Sequence, residues 1–134
     1  MAQTILLVDN DRLFVDAMRQ RLLDIGYRVL CAQTKAEAEI ILAQSRPDVL
    51  VSEVMLEQPD AGFCLAWSAK QRYPELPVLL VSAVTWHAGL YFSLSRPEDN
   101  AWIKADAFID KPIRNEELES AIRRSLHLAA RPSA

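Results

Sequence analysis

Asp48-Val49-Leu50-Val51-Ser52-Glu53-Val54-Met55-Leu56 decides the fold. The run Val49 to Val51 is apolar at every position, without the in-and-out alternation of a strand that has one wet face. Such a run fits a strand covered on both sides in a parallel sheet. It delivers a carboxylate, Glu53, to its C-terminal end. Open α/β sheets bind ligands beyond the carboxyl ends of their strands, so a charge there is placed to act in a site.

Similar runs recur outward from this stretch. Ile5-Leu6-Leu7-Val8 precedes Asp9-Asn10-Asp11, Val78-Leu79-Leu80-Val81 precedes Ser82-Ala83, and Ala107-Phe108-Ile109-Asp110 precedes Lys111-Pro112. Tyr27 to Ala32 alternates more and is expected at a sheet edge. Helical patterns fall between the strands. Phe14, Met18, Leu22 and Ile25 form one stripe, closed by Gly26 at the C′ position. Thr34-Lys35-Ala36-Glu37 has the form of a capping box and opens a second helix to about Gln44, which Arg46-Pro47 ends. A third helix is expected from Phe63 to about Arg72, with Trp67 in the core. A final helix starts near Arg114 or Asn115, with Leu118, Ala121, Ile122, Ser125 and Leu126 inward. Alternating strands and helices imply right-handed crossovers and a three-layer α/β domain, with five strands and five helices. Val84 to Ala105 is irregular. A helix from Trp86 to Leu94 is expected there, followed by a loop, in a segment that also holds Tyr91, Phe92 and Trp102.

The 134 residues suit a single domain, residues 1–134, and 51% hydrophobic content argues against disorder. A net charge of −3 disfavours nucleic acid or an anionic membrane as a direct partner. No long apolar segment or basic leader is evident, and a soluble cytoplasmic protein is expected. Cys31 and Cys64 lack metal-ligand spacing and are expected to be buried, reduced thiols. Three glycines and no Gly-rich loop after a strand exclude a phosphate-cradling nucleotide module.

Carboxylates gathered at strand ends repel one another unless a cation joins them. Oxygen ligands of this type suit Mg²⁺, and a nearby lysine and hydroxyl complete a site for a phosphoryl group. Taken singly, Asp9, Asn10 and Asp11 could simply cap the first helix, and Lys111 could be a solvated surface residue. The four strand ends together favour the site.

The set Leu7-Val8-Asp9-Asn10-Asp11, Val51 to Leu56, Val81-Ser82-Ala83 and Ile109-Asp110-Lys111-Pro112 resembles the receiver domains of bacterial two-component response regulators, the CheY-like family. The resemblance spans about residues 4 to 128. It implies a flavodoxin-like parallel sheet in the order 2-1-3-4-5. It places Asp9, Asn10 in place of a second acid, and Glu53 at a Mg²⁺ site with the Met55 carbonyl. Glu53 stands where the family has its phosphoaccepting aspartate. Ser82 matches the switch hydroxyl, Phe108 the switch aromatic and Lys111 the phosphate-pairing lysine, with a cis bond before Pro112.

The departures carry as much information as the matches. Glutamate adds a methylene to a nucleophile whose geometry tolerates little displacement. Its longer arm can pair with Lys111, an attraction of roughly 4 kcal/mol at ~4 Å before desolvation. Asn10 removes a formal charge, so Mg²⁺ is expected to bind weakly. The expected function is therefore a non-enzymatic pseudo-receiver that acts through proteins: a sensor kinase, another regulator or an output domain. Ser82 to Lys111 spans 29 positions, more than is usual in the family, and a homodimer through Val84 to Ala105 is a further expectation. Two alternatives stand beside it. One is a phosphorylatable stand-alone receiver. The other is a small haloacid-dehalogenase-like phosphatase with Asp9 as nucleophile and Asp11 as general acid.

Overall fold

Unbroken runs of leucine and valine become strands whose neighbours sit on both faces. In the computed structural model, which describes residues 2–82 and 105–130, β1 (Thr4–Val8), β2 (Arg28–Ala32), β3 (Val49–Glu53), β4 (Val78–Ser82) and β5 (Ala107–Asp110) form one parallel sheet. The order is β2-β1-β3-β4-β5. Four helices lie among the described residues: α1 (Arg12–Ile25), α2 (Lys35–Gln44), α3 (Ala61–Arg72) and α4 (Asn115–Ala130). The expected helix from Trp86 to Leu94 and the aromatics Trp86, Tyr91, Phe92 and Trp102 lie outside the described residues.

Side chains alternate across a strand, and here each set meets its own layer of helices. Leu6, Val8, Leu50, Val78 and Leu80 pack with Ala38 and Leu42 of α2 and Leu65, Ala66 and Ala69 of α3. Ile5, Leu7, Val49, Val51, Leu79 and Val81 pack with Met18 and Leu22 of α1 and Leu118, Ile122 and Leu126 of α4. All five residues of β3 and of β4 are buried, which explains their lack of alternation. β2 lies at the edge, as expected.

Local signals set the helix ends. The Asp11 carboxylate accepts the Phe14 N–H at 3.3 Å, and Thr34 Oγ1 accepts the Glu37 N–H at 3.1 Å. Gly26 takes φ 117°, a left-handed conformation open to glycine, and its N–H bonds the Leu22 and Leu23 carbonyls.

Three burial expectations are corrected. Trp67 is 46% exposed rather than core, because α3 turns Ala61, Gly62, Phe63, Leu65, Ala66 and Ala69 inward. Ile25 is also exposed, because α1 turns Val15, Met18 and Leu22 inward. Both cysteines are free thiols, but Cys31 is exposed on the edge strand and Cys64 partly exposed on α3.

Candidate functional site

Strand register assembles the site. Val8 pairs with Ser52, so the next residues, Asp9 and Glu53, leave the sheet side by side. Glu53 pairs with Val81, and Ser82 pairs with Asp110, which brings Ser82 and Lys111 to the same carboxyl edge. The Lys111 N–H donates to the Ser82 carbonyl at 2.7 Å, and the Lys111-Pro112 bond is cis, as expected.

The side chains of Asp9, Glu53 and Lys111 converge. Lys111 Nζ lies 2.5 Å from Asp9 Oδ2 and 3.5 Å from Glu53 Oε1. All three are largely withdrawn from water, with side-chain exposures of 10% for Lys111, 1% for Asp9 and 6% for Glu53. The sequence reading anticipates the Lys111–Glu53 pair; the structure adds the closer contact with Asp9. The ammonium also sits 4.0 Å from the centre of the Phe14 ring, whose negative face attracts a cation.

The other carboxylate oxygen of Glu53 turns back onto the chain. Oε2 accepts the Val54 N–H at 2.6 Å and the Met55 N–H at 3.1 Å. The Val54 N–H is shared with the Val81 carbonyl at 3.0 Å. Backbone N–H groups aimed at one point form a cradle for negative charge. Here the glutamate's own arm fills it.

Asp9 is held with similar care. Its Oδ1 accepts the Asp11 N–H at 2.9 Å. Burial pushes the Asp9 carboxyl above the usual aspartate range, and the nearby Glu53 charge adds to that; the hydrogen bonds from Lys111 and Asp11 and the Lys111 charge oppose it. Asn10 is exposed beside it. Ser82 is fully buried at the end of β4, and Phe108 is half-buried against the α2 and α3 layer. Among the described residues no group of three or more His, Cys, Asp or Glu could hold a metal ion. Asp9, Asn10, Glu53 and the Met55 carbonyl are the groups that would hold Mg²⁺, and the two carboxylates already share the Lys111 ammonium.

Two residues escape the sequence reading. Gly62, in the first turn of α3, donates its N–H to the Val54 carbonyl at 2.7 Å. A Cβ at Gly62 would come within 2.2 Å of the Glu53 carbonyl oxygen and 2.5 Å of Val54 Cα, so only glycine allows α3 to pack this closely beneath the site. Its signal was its place as one of three glycines in the chain, shortly after Glu53. Glu57, in the loop between β3 and α3, accepts the Lys35 N–H at 2.8 Å and the Ala36 N–H at 3.3 Å at the start of α2. Slight burial raises the Glu57 pKa, but these N–H bonds and the Lys35 charge outweigh it and hold the carboxyl below its ordinary range. No local pattern announces a cap supplied from 21 residues away.

A five-stranded parallel sheet in this order, with an acid–lysine constellation at its carboxyl edge, defines a receiver-type α/β domain. The chain belongs to the response regulator receiver domain family, which it matches over residues 5–123. It is 32% identical over 123 residues to the response regulator MprA of Mycobacterium sp. (strain KMS), covering 92% of this chain and 50% of that protein. It is 33% identical over 119 residues to MprA of Mycobacterium leprae (strain TN), covering 89% and 49%. The chain thus spans about half the length of these relatives. Among solved structures it resembles the non-phosphorylated HemR receiver domain of Leptospira biflexa, with a TM-score of 0.79, 27% identity, and coverage of 98% of this chain and 99% of that one. A CheY-like receiver protein of Methanospirillum hungatei JF-1 shares the fold, with a TM-score of 0.80, 22% identity and coverage of 96% and 97%. Family membership, together with both oxygens of Asp9 being engaged by Lys111 and Asp11, sets aside the haloacid-dehalogenase-like reading.

Proposed function

We propose that this receiver domain works in two-component signalling without being phosphorylated, as a pseudo-receiver fixed in one state. One observation carries the reading: the Glu53 carboxylate binds the Val54 and Met55 amides with one oxygen and faces Lys111 with the other. Those are the donors that a phosphoryl group on this strand end would need for its own oxygens. A phosphoryl group attached through Glu53 would have to displace the arm that carries it. Lys111 already offsets one of the two buried negative charges and Asn10 brings none, so Mg²⁺ binds weakly and the site runs no catalytic cycle.

Signalling then passes through protein contacts. The partners are a sensor kinase, another regulator or an output domain, in keeping with relatives that are about twice as long. No described helix is long and apolar enough to cross a membrane, and we place the protein in the cytoplasm with those partners. Of the expected homodimer surface, Val84 to Ala105, Ala105 alone lies among the described residues.

Incubation of the purified chain with a small phosphodonor and Mg²⁺, followed by intact-mass measurement, tests the proposal. No stable gain is expected. A gain of one phosphoryl group that maps to Glu53 would establish the phosphorylatable receiver instead.

A further inference from the structure

The outer face of α2 and α3 carries apolar side chains that the fold leaves uncovered. Ile40, midway along α2, is 60% exposed, and Trp67, midway along α3, is 46% exposed. Trp67 is the largest exposed apolar side chain among the described residues. Between the helices lies a shallow groove of about 350 Å³, lined by Lys35, Glu39, Cys64, Trp67 and Ser68. Its central charges cancel internally, because Lys35 pairs with Glu39 at 3.1 Å and Ser68 donates to Glu39 at 2.9 Å.

The two ends of this face carry opposite charge. Helices that connect parallel strands run against them, so α2 and α3 both begin at the site edge of the sheet. At that end stand Glu57 and Asp60, both exposed; Asp60 makes no side-chain capping bond to α3. At the far end stand Arg46 and Arg72, also exposed; Glu75, just beyond α3, lines a different cavity, with Ala121 and Arg124 of α4. Arg46 is steadied there, with its guanidinium over the Tyr73 ring and bonded to the Pro47 carbonyl. Lys70 is occupied by Asp106 at 2.8 Å, so it leaves this balance unchanged.

We infer that the α2–α3 face docks a second copy of this chain in an antiparallel, two-fold arrangement. A two-fold axis near Trp67 and Ile40 places the acidic end of one copy on the basic end of the other, twice over. It also stacks the two apolar centres on each other. A surface with an apolar middle and opposite charges at its ends is complementary to itself only in this orientation. The face is small. Twelve residues of α3 extend about 18 Å, and two helices side by side present roughly 350 Å² per copy. That is about 700 Å² in total, below the ~1,200 Å² of stable interfaces, so the dimer is weak and forms only at high protein concentration.

Sedimentation of the full chain from ~10 µM to ~1 mM tests this surface. Thermal melts of each variant confirm that it is folded. The expected result is a reversible monomer–dimer equilibrium, weakened at least tenfold by Trp67→Ala and by Ile40→Asp. Asp60→Lys alone and Arg72→Asp alone each abolish it, because like charges then meet at both ends. Mixing those two variants restores a heterodimer, because opposite charges meet again. A chain that stays monomeric throughout, or a dimer indifferent to these four substitutions, would overturn the inference. Failure of the mixed pair to associate would do the same. None of these outcomes depends on the state of Glu53, so this test and the phosphodonor test fail separately.

Discussion

Replacing Lys111 by methionine removes the ammonium and keeps an apolar stem against the Phe14 ring. Asp9 and Glu53 are then left as buried carboxylates, 1% and 6% exposed, without the cation at 2.5 Å and 3.5 Å. At an effective dielectric of ~20, a unit pair at 3.5 Å attracts by roughly 5 kcal/mol, and most of this offsets desolvation. Breaking a buried pair by removing one partner costs about 3–5 kcal/mol. Here the lower end, ~3 kcal/mol, is expected at pH 7.5, since Asp9 can take up a proton and Glu53 keeps its amide bonds.

The pH dependence gives the test its sign. Burial already raises Asp9 above its ordinary 3.8, and losing Lys111 removes the main opposing influences. An acid whose folded pKa exceeds its unfolded value holds its proton more tightly when folded. The penalty in Lys111→Met is therefore full above the raised pKa and shrinks as pH falls through it. Urea unfolding of both proteins at pH 8, 7, 6 and 5 measures this. A variant within ~0.5 kcal/mol of wild type at pH 7.5, or a difference that does not change with pH, would refute the claim that Lys111 is the cation of this site.

Other positions give independent checks. Gly62→Ala should destabilise the domain by about 2–4 kcal/mol, because the new methyl group meets the Glu53 and Val54 backbone at 2.2–2.9 Å, and backbone cannot swing aside as a side chain can; chemical denaturation reads the loss. Glu57→Gln should cost only about 0.3–0.5 kcal/mol at neutral pH, since the cap is largely exposed and screened. Its folded pKa is depressed, so that contribution is present above pH 4.5, its ordinary value, and disappears as pH falls through the folded pKa; unfolding midpoints at pH 7 and pH 3 check the direction.

The sheet was legible because double burial leaves a plain mark, the unbroken run, in Ile5 to Val8, Val49 to Val51 and Val78 to Val81. The convergence of Asp9, Glu53 and Lys111 was legible because parallel strands must end on one edge. Trp67 was misread for a physical reason. Ala61, Ala66 and Ala69 make α3 apolar nearly all round, so spacing from Phe63 could not say which side faced inward. Cys31 was misread because β2 lies at the edge of the sheet, where Ala32 is the only buried residue of the strand. Gly62 and Glu57 act on partners brought close only by the folded chain, through a backbone contact and a cap across 21 residues. The turning of Glu53 onto the Val54 and Met55 amides is likewise a matter of geometry that pattern alone does not contain.

The most direct measurement sets the wild-type chain beside Glu53→Asp, each treated with the same small phosphodonor and Mg²⁺ and weighed intact. The shorter arm cannot reach back to fill the amide cradle in the same way, so the aspartate variant should gain one phosphoryl group while wild type gains none. Equal labelling of both proteins, with the wild-type group on Glu53, would contradict the self-occupied site.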